Sequence, residues 1–222
     1  MPDIDVALEQ LKRLASVDLD DYLEFIFKAA RPIPVSQEYR TGYQVEFTPV
    51  LGRTKRLSPI HIDLVVDQTP PEDWTVVTPV NRLAIPGLQT TNYAIQTIEE
   101  RIADKTCAIM QRYDGRPSSR VKDLVDLAVA MCTCPVNADI LAEKLRRECA
   151  LRGMAPITHF EVPSIWTGPY EKTYTQEARS CTDQKMPTSI VQASQLIDAW
   201  IVPVIEGGAR GKTWDPNERQ WL

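Results

Sequence analysis

The chain has 222 residues, 43% of them hydrophobic and 25% charged, with a net charge of -5. That is enough for one large domain or two intimate lobes around a sizeable core, and the composition excludes a disordered chain. The acidic balance argues against a general nucleic-acid coat, so any phosphate contact has to come from a local basic patch.

No run of about 18 apolar residues occurs, and the start Met1-Pro2-Asp3-Ile4-Asp5 has neither the basic nor the apolar region of a signal peptide. The expectation is a cytoplasmic protein that does not enter a membrane. Of five cysteines only Cys132 and Cys134 lie close in sequence, and His61 and His159 stand alone. A structural zinc needs four ligands, usually with a C-x2-C pair, so reduced thiols in a cytoplasm are the plain reading.

In chain order, Val6 to Ala15 reads as a short helix, and Asp3-Ile4-Asp5 before it as an extended segment with both carboxylates on one face. Tyr22 to Phe27 fits helix or strand equally. Tyr43 to Val50 and Pro59 to Val66 both alternate, which predicts an antiparallel hairpin with the basic tip Gly52 to Arg56. In the second strand Ile60, Ile62, Leu64 and Val66 share a face and leave His61 and Asp63 on the other. A proline-rich stretch from Asp67 to Asn92 reads as an extended surface connection.

Helices follow at Ala94 to Arg112, Ser119 to Met131 and Asn137 to Arg152. Ser119 and Asn137 are the expected N-caps, and Gly153 is the stop. One or two more are expected between about Pro169 and Ala199. The layout is α+β: a small α/β lobe over residues 1–92 and a helical lobe over residues 93–222. Gly207 to Thr213 has the look of a phosphate-binding loop. The pattern, however, requires glycine where Glu206 stands, and Pro216 would stop the helix it must open, so a flexible tail is expected. Cys132-Thr-Cys134 lacks the two-residue gap of a redox pair.

Chemistry concentrates in four places. Asp3 and Asp5 have a spacing that suits Mg2+, although solvated acids have the same look. Asp63 sits mid-strand, either on a wet outer face or as a further metal carboxylate. Lys105 falls on the shoulder of the apolar stripe Ile95, Ile98, Ile102, Thr106 and Ile109, where it either snorkels or reaches a phosphate. Arg120, Lys122, Asp123 and Asp126 open the next helix, where the dipole favours the acids and disfavours the cations. From Lys105 to Lys122 five cations meet one acid, Asp114, a local excess that suits phosphates.

Taken in order, D-I-D-V, H-I-D-L, I-E-E-R-I-A-D-K and S-S-R-V-K-D-L-V-D-L resemble the AbiEii/AbiGii family of nucleotidyltransferase toxins. These are the toxin halves of type IV toxin–antitoxin and phage-defence systems and include the MenT-type enzymes. The likeness runs over nearly the whole chain, through Phe160-Glu-Val-Pro-Ser-Ile-Trp166 to Trp214-Asp-Pro216. It implies a nucleotidyltransferase-like α/β lobe followed by a helical lobe, and transfer of a nucleotide from a nucleoside triphosphate to RNA, in some members tRNA. It also implies Mg2+ held by Asp3, Asp5 and Asp63, and a cognate antitoxin as partner. Lys105 matches the triphosphate-contacting lysine. Asp123 matches the acid of the last motif, with Asp126 behind it and Arg120 and Lys122 beside the phosphates.

The family carries a Gly-Ser or Gly-Gly element before the D-x-D, where this chain has only Met1 and Pro2. From this follow three expectations: weak transfer by this chain, a frayed segment at residues 1–6, and a bare sheet edge there that a second copy could cover. The competing reading is a non-catalytic remnant that binds a partner protein or RNA.

Overall fold

The computed structural model describes residues 3–33, 40–67, 73–80, 91–181 and 186–222. The chain is α+β and divides into two compact units. One comprises Met1–Glu72 and Val77–Tyr93, the other Asp73–Val76 and Ala94–Leu222.

The first unit opens with helix α1 (Ile4–Ala15). The Asp3 carboxylate accepts the Asp5 backbone N–H at 2.8 Å as an N-cap, Asp5 lies in the first turn, and Lys12 and Arg13 lie in the last. Acids at the start and bases at the end both complement the helix dipole. The D-x-D is therefore the start of a helix and not an extended segment. Residues 4–6 are its first turn, and residues 3–15 offer no sheet edge for a second copy.

Strands β1 (Leu23–Pro32), β2 (Arg40–Leu51), β3 (Lys55–Arg56) and β4 (Ile60–Asp67) make one antiparallel sheet. The ambiguous Tyr22 to Phe27 stretch is mostly strand, since Leu23–Pro32 pairs with β2 along its length. The hairpin read from alternation is present: β2 pairs with β4 from Arg40↔Asp67 to Phe47↔Ile60, and the basic tip adds β3 against Val50 and Leu51. Leu8 of α1 packs with Val45 and Phe47 on one sheet face, with Phe25, Ile62 and Leu64 around them. Asp63 and His61 point to the opposite face and are exposed. Most of the proline-rich connection lies outside the described residues. Its described part contains β5 (Trp74–Val77), which pairs with β6 (Tyr93–Gln96).

The second unit holds the larger core. Helix α2 (Ile98–Met110) begins at residue 98 rather than 94, because Thr97 accepts the Glu100 N–H as its cap while residues 93–96 are strand. Ile95, placed in the helical stripe by spacing, belongs to that strand. Strands β7 (Arg112–Tyr113) and β8 (Arg116–Pro117) pair across a two-residue turn, Asp114-Gly115, both at positive φ. Asp-Gly is the pair such tight hairpins favour.

Helix α3 (Val121–Thr133) follows, and its N-cap is Arg120 with no side-chain bond; Ser119 contributes only its carbonyl, to the Val121 N–H. After β9 (Val136–Asn137), helix α4 (Ala138–Leu151) has the expected Asn137 cap, and Gly153 at φ 60 lies just beyond its end. Two helices complete the set, α5 (Pro169–Arg179), with proline in its first turn, and α6 (Ile190–Ile205). Among the described residues no helix is long and apolar enough to cross a membrane.

The expected flexible tail is instead part of this core. β10 (Thr213–Asp215) pairs with β9 and with β11 (Gln220–Trp221). The Trp214 indole N–H donates to the Met131 carbonyl at 2.8 Å, and its ring sits between Trp200 and Trp221, with centroids 5.7 and 5.4 Å away. The Gly211 N–H donates to Asp139. Tryptophan burial, which the loop pattern does not carry, anchors the segment.

Two stability outcomes follow. Trp214→Ala is expected to lower the unfolding free energy by about 3–5 kcal/mol in urea titrations; a change within about 0.5 kcal/mol, the range of neutral surface changes, would detach the segment from the core. Asp3→Ala is expected to cost about 1 kcal/mol and Asp3→Gly only a few tenths, as a helix cap requires.

Candidate functional site

Helix α2 presents Ile98, Ile102 and Ile109 at helical spacing, and Lys105 stands on the shoulder of that stripe. The Asp114-Gly115 turn folds the chain back at the end of α2, so α3 returns along this flank. Asp123 and Asp126, three apart on α3, share a helix face. The Lys105 ammonium donates to Asp123 Oδ1 at 2.8 Å and to Asp126 Oδ2 at 2.6 Å. Arg120 approaches the other Asp123 oxygen at 3.6 Å, and its guanidinium lies 5.9 Å from the Tyr113 ring centroid.

The cluster grades from wall to water. Side-chain exposure is 19% for Lys105 and 14% for Asp123, against 50% for Asp126 and Arg120. Burial alone would push the Lys105 pKa down, yet the hydrogen bonds and charges of Asp123 and Asp126 outweigh it and hold the pKa above 10.5. Lys105 therefore neither snorkels to water nor stands free. It is a cation fixed by two carboxylates, with two of its three N–H donors used on them.

Of the residues singled out by sequence, Lys105, Arg120, Asp123 and Asp126 come together in the second unit. Lys122 does not join them and pairs with Glu177 of α5 at 2.9 Å. The basic excess from Lys105 to Lys122 is largely answered by acids outside that window, and Arg112 spends its guanidinium on the Gly115 carbonyl. Counting charges along a window could not reveal this, because Asp126 and Glu177 lie beyond it. A helical wheel of α3 carries the signal for Asp126.

Asp3, Asp5 and Asp63 belong to the first unit, where each has a local partner. Asp3 caps α1, Asp5 accepts from the Tyr43 hydroxyl at 3.4 Å, and Asp63 accepts from Gln44 at 3.4 Å across the strand pair. Among the described residues no group of three or more His, Cys, Asp or Glu side chains is arranged to hold a metal ion. Helix capping turns the Asp3 carboxylate toward the backbone N–H of Asp5.

The model of one protein family, described as the nucleotidyl transferase AbiEii toxin of type IV toxin–antitoxin systems, matches residues 2–198. No curated protein matches the chain.

A pH dependence follows from the triad. Lys105 holds its proton more tightly folded than unfolded, so its stabilisation is fully present below pH 10.5 and is lost as pH rises through the higher folded value. Urea unfolding at increasing alkaline pH should show the wild type losing stability above pH 10.5 more steeply than Lys105→Met, which starts lower because Asp123 and Asp126 lose their partner. Parallel curves would mean that the ion triad contributes nothing to folding.

Proposed function

The chain belongs to the AbiEii nucleotidyl transferase toxin family of type IV toxin–antitoxin systems, and from that premise we propose that it transfers a nucleotide from a nucleoside triphosphate to an RNA acceptor, tRNA first among the candidates. The observation that supports this reading most is the Lys105–Asp123–Asp126 triad with Arg120 beside it. A fixed cation at a partly open edge, held by two carboxylates, is the equipment phosphoryl chemistry draws on.

In this reading Lys105 and Arg120 take the negative charge of the polyphosphate. Asp123 accepts the proton of the attacking hydroxyl as its oxygen bonds to the α-phosphorus, and pyrophosphate departs with the electron pair of the broken bond. Asp126, the more exposed of the two acids, yields its place on Lys105 to the polyphosphate, while Asp123 stays beside the ammonium as the second anchor. Little covalent work falls to the protein in such a transfer, and positioning with charge stabilisation accounts for most of the rate. Magnesium would arrive as the salt of the triphosphate, since Mg2+ is commonly held by one or two carboxylates together with substrate phosphates. The cognate antitoxin is the protein partner the family implies, and the cytoplasm is the compartment where triphosphate, tRNA and antitoxin meet.

A second reading, a non-catalytic module that binds RNA or protein, draws on the same geometry: Lys105, Arg120 and Lys122 all have acidic partners within 4 Å, as a purely structural network would.

Labelled nucleoside triphosphates with Mg2+ and total tRNA decide between the two. The proposal expects incorporation into RNA, a loss on the order of ten- to a hundredfold in Lys105→Ala, the worth of a charge-assisted contact, and a comparable or larger loss in Asp123→Asn. Asp63→Asn in the same assay reports whether the first unit supplies a carboxylate. Absence of incorporation with all four triphosphates, alongside retained RNA or antitoxin binding, would establish the binding module instead.

A further inference from the structure

Two cysteines that are remote in sequence meet in the second unit. Cys107 on α2 and Cys149 on α4 have their sulfurs 3.6 Å apart, and no disulfide joins them. Both are buried, but differently. Cys107 is fully enclosed, whereas Cys149 forms part of the wall of a crevice of about 180 Å³ lined by Leu145, Pro156, Ile157 and Ile205. One cysteine of the pair thus belongs to the wall of a largely apolar opening of a size for a small neutral oxidant, and its partner lies against it away from that wall. A thiol pair in contact is also the arrangement in which one sulfur can attack the other once that other is oxidised.

We propose that Cys149 is a peroxide-reactive thiol and Cys107 its resolving partner, so that oxidation joins α2 to α4 through a Cys107–Cys149 disulfide. In the first step the Cys149 thiolate attacks one oxygen of hydrogen peroxide. The S–O bond forms, the O–O bond breaks, and hydroxide leaves, giving a sulfenic acid. In the second, the Cys107 sulfur attacks the sulfenic sulfur; the S–S bond forms and the hydroxyl leaves with the Cys107 proton as water. Two thiols and one peroxide thus yield one disulfide and two waters.

Electrostatics supports the assignment of roles. The hydrogen bond between the two sulfurs lowers the Cys149 pKa to about 7, with the Ile157 N–H and Arg152 helping and burial and Glu148 opposing. The same hydrogen bond, with burial, pushes the Cys107 thiol up. The thiolate, which is the nucleophile, therefore forms on Cys149, the cysteine of the crevice wall.

The test uses the full chain, first reduced, then exposed to hydrogen peroxide, quenched, alkylated under denaturing conditions and mapped by mass spectrometry. The expected product is a Cys107–Cys149 linked peptide, lighter than the two thiol peptides by two hydrogen atoms and reversed by dithiothreitol, with Cys132, Cys134 and Cys181 recovered as alkylated thiols. Recovery of Cys107 and Cys149 both alkylated, while any of the other three is oxidised, overturns the proposal. A second measurement fixes the order of attack: in Cys107→Ser, dimedone should trap a sulfenic acid on Cys149, and in Cys149→Ser, Cys107 should stay unlabelled. Dimedone on Cys107 in the latter overturns the assignment of roles. The wild-type map needs no variant, so a substitution that impairs folding does not remove the test.

Discussion

Helix α2 is flanked by α3 on one side and α4 on the other, and a helix in that position must answer its charges with neighbouring side chains or leave them desolvated and unpaired. Each flank does so in its own way. Toward α4, Glu100 meets Arg147 at 3.1 Å and Lys144 at 3.8 Å, and Asp104 meets Arg152 at 2.6 Å. Arg152, with a side chain only 1% exposed, also reaches Glu148 and Gln111. Glu99 accepts the Asn137 N–H where α4 begins. Toward α3, Lys105 meets Asp123 and Asp126. Glu100 shows the cost of such burial, since desolvation holds its carboxyl above the usual carboxylate range even with Lys144 and Arg147 beside it.

This division follows from helical geometry. Glu100, Asp104 and Cys107 recur at i, i+4 and i+7 and share the α4 flank, while Ile98, Ile102, Lys105 and Ile109 recur on the other. Lys105 and Cys107, two residues apart, therefore serve different neighbours. The site is placed by a two-residue turn: Asp114-Gly115 reverses the chain at positive φ, and the return of α3 sets its first turns beside Lys105. A substitution with a β-branched residue at Gly115 would strain that turn and displace both acids together.

How much of this could be read from the sequence varies with the kind of interaction. Alternation in Tyr43 to Val50 and Pro59 to Val66 specified a real antiparallel pair, because period-two patterning is a direct image of one buried face. The Asn137 cap and the Gly153 stop were legible for the same local reason. Asp3 and Asp5 were read as an extended segment because two acids before an apolar run fit a strand and a helix start equally well, and the bond from the Asp5 N–H to the Asp3 carboxylate makes them a helix start. Ser119 was a sound cap candidate, but the helix starts one residue later, with Arg120 at the cap position and no side-chain cap bond. The C-terminal segment was misjudged because the failure of a phosphate-loop pattern says nothing about where Trp214 and Trp221 pack. Pairing of Lys122 with Glu177, and of Cys107 with Cys149, joins residues more than forty apart and has no image in local pattern at all.

A site whose cations are already neutralised has a physical consequence for any anion it receives. A polyphosphate approaching Lys105 competes with two carboxylates at hydrogen-bond distance, so the net gain is the difference between two charge-assisted contacts and not the whole of one. The acids also keep the ammonium charged and in one place before the ligand arrives, which removes the entropy and reorganisation that a free lysine would lose on binding. Exposure decides which partner yields: Asp126, half exposed, is rehydrated at small cost on leaving Lys105, whereas Asp123, at 14%, is not. The geometry thus favours exchange at Asp126 during binding and retention at Asp123.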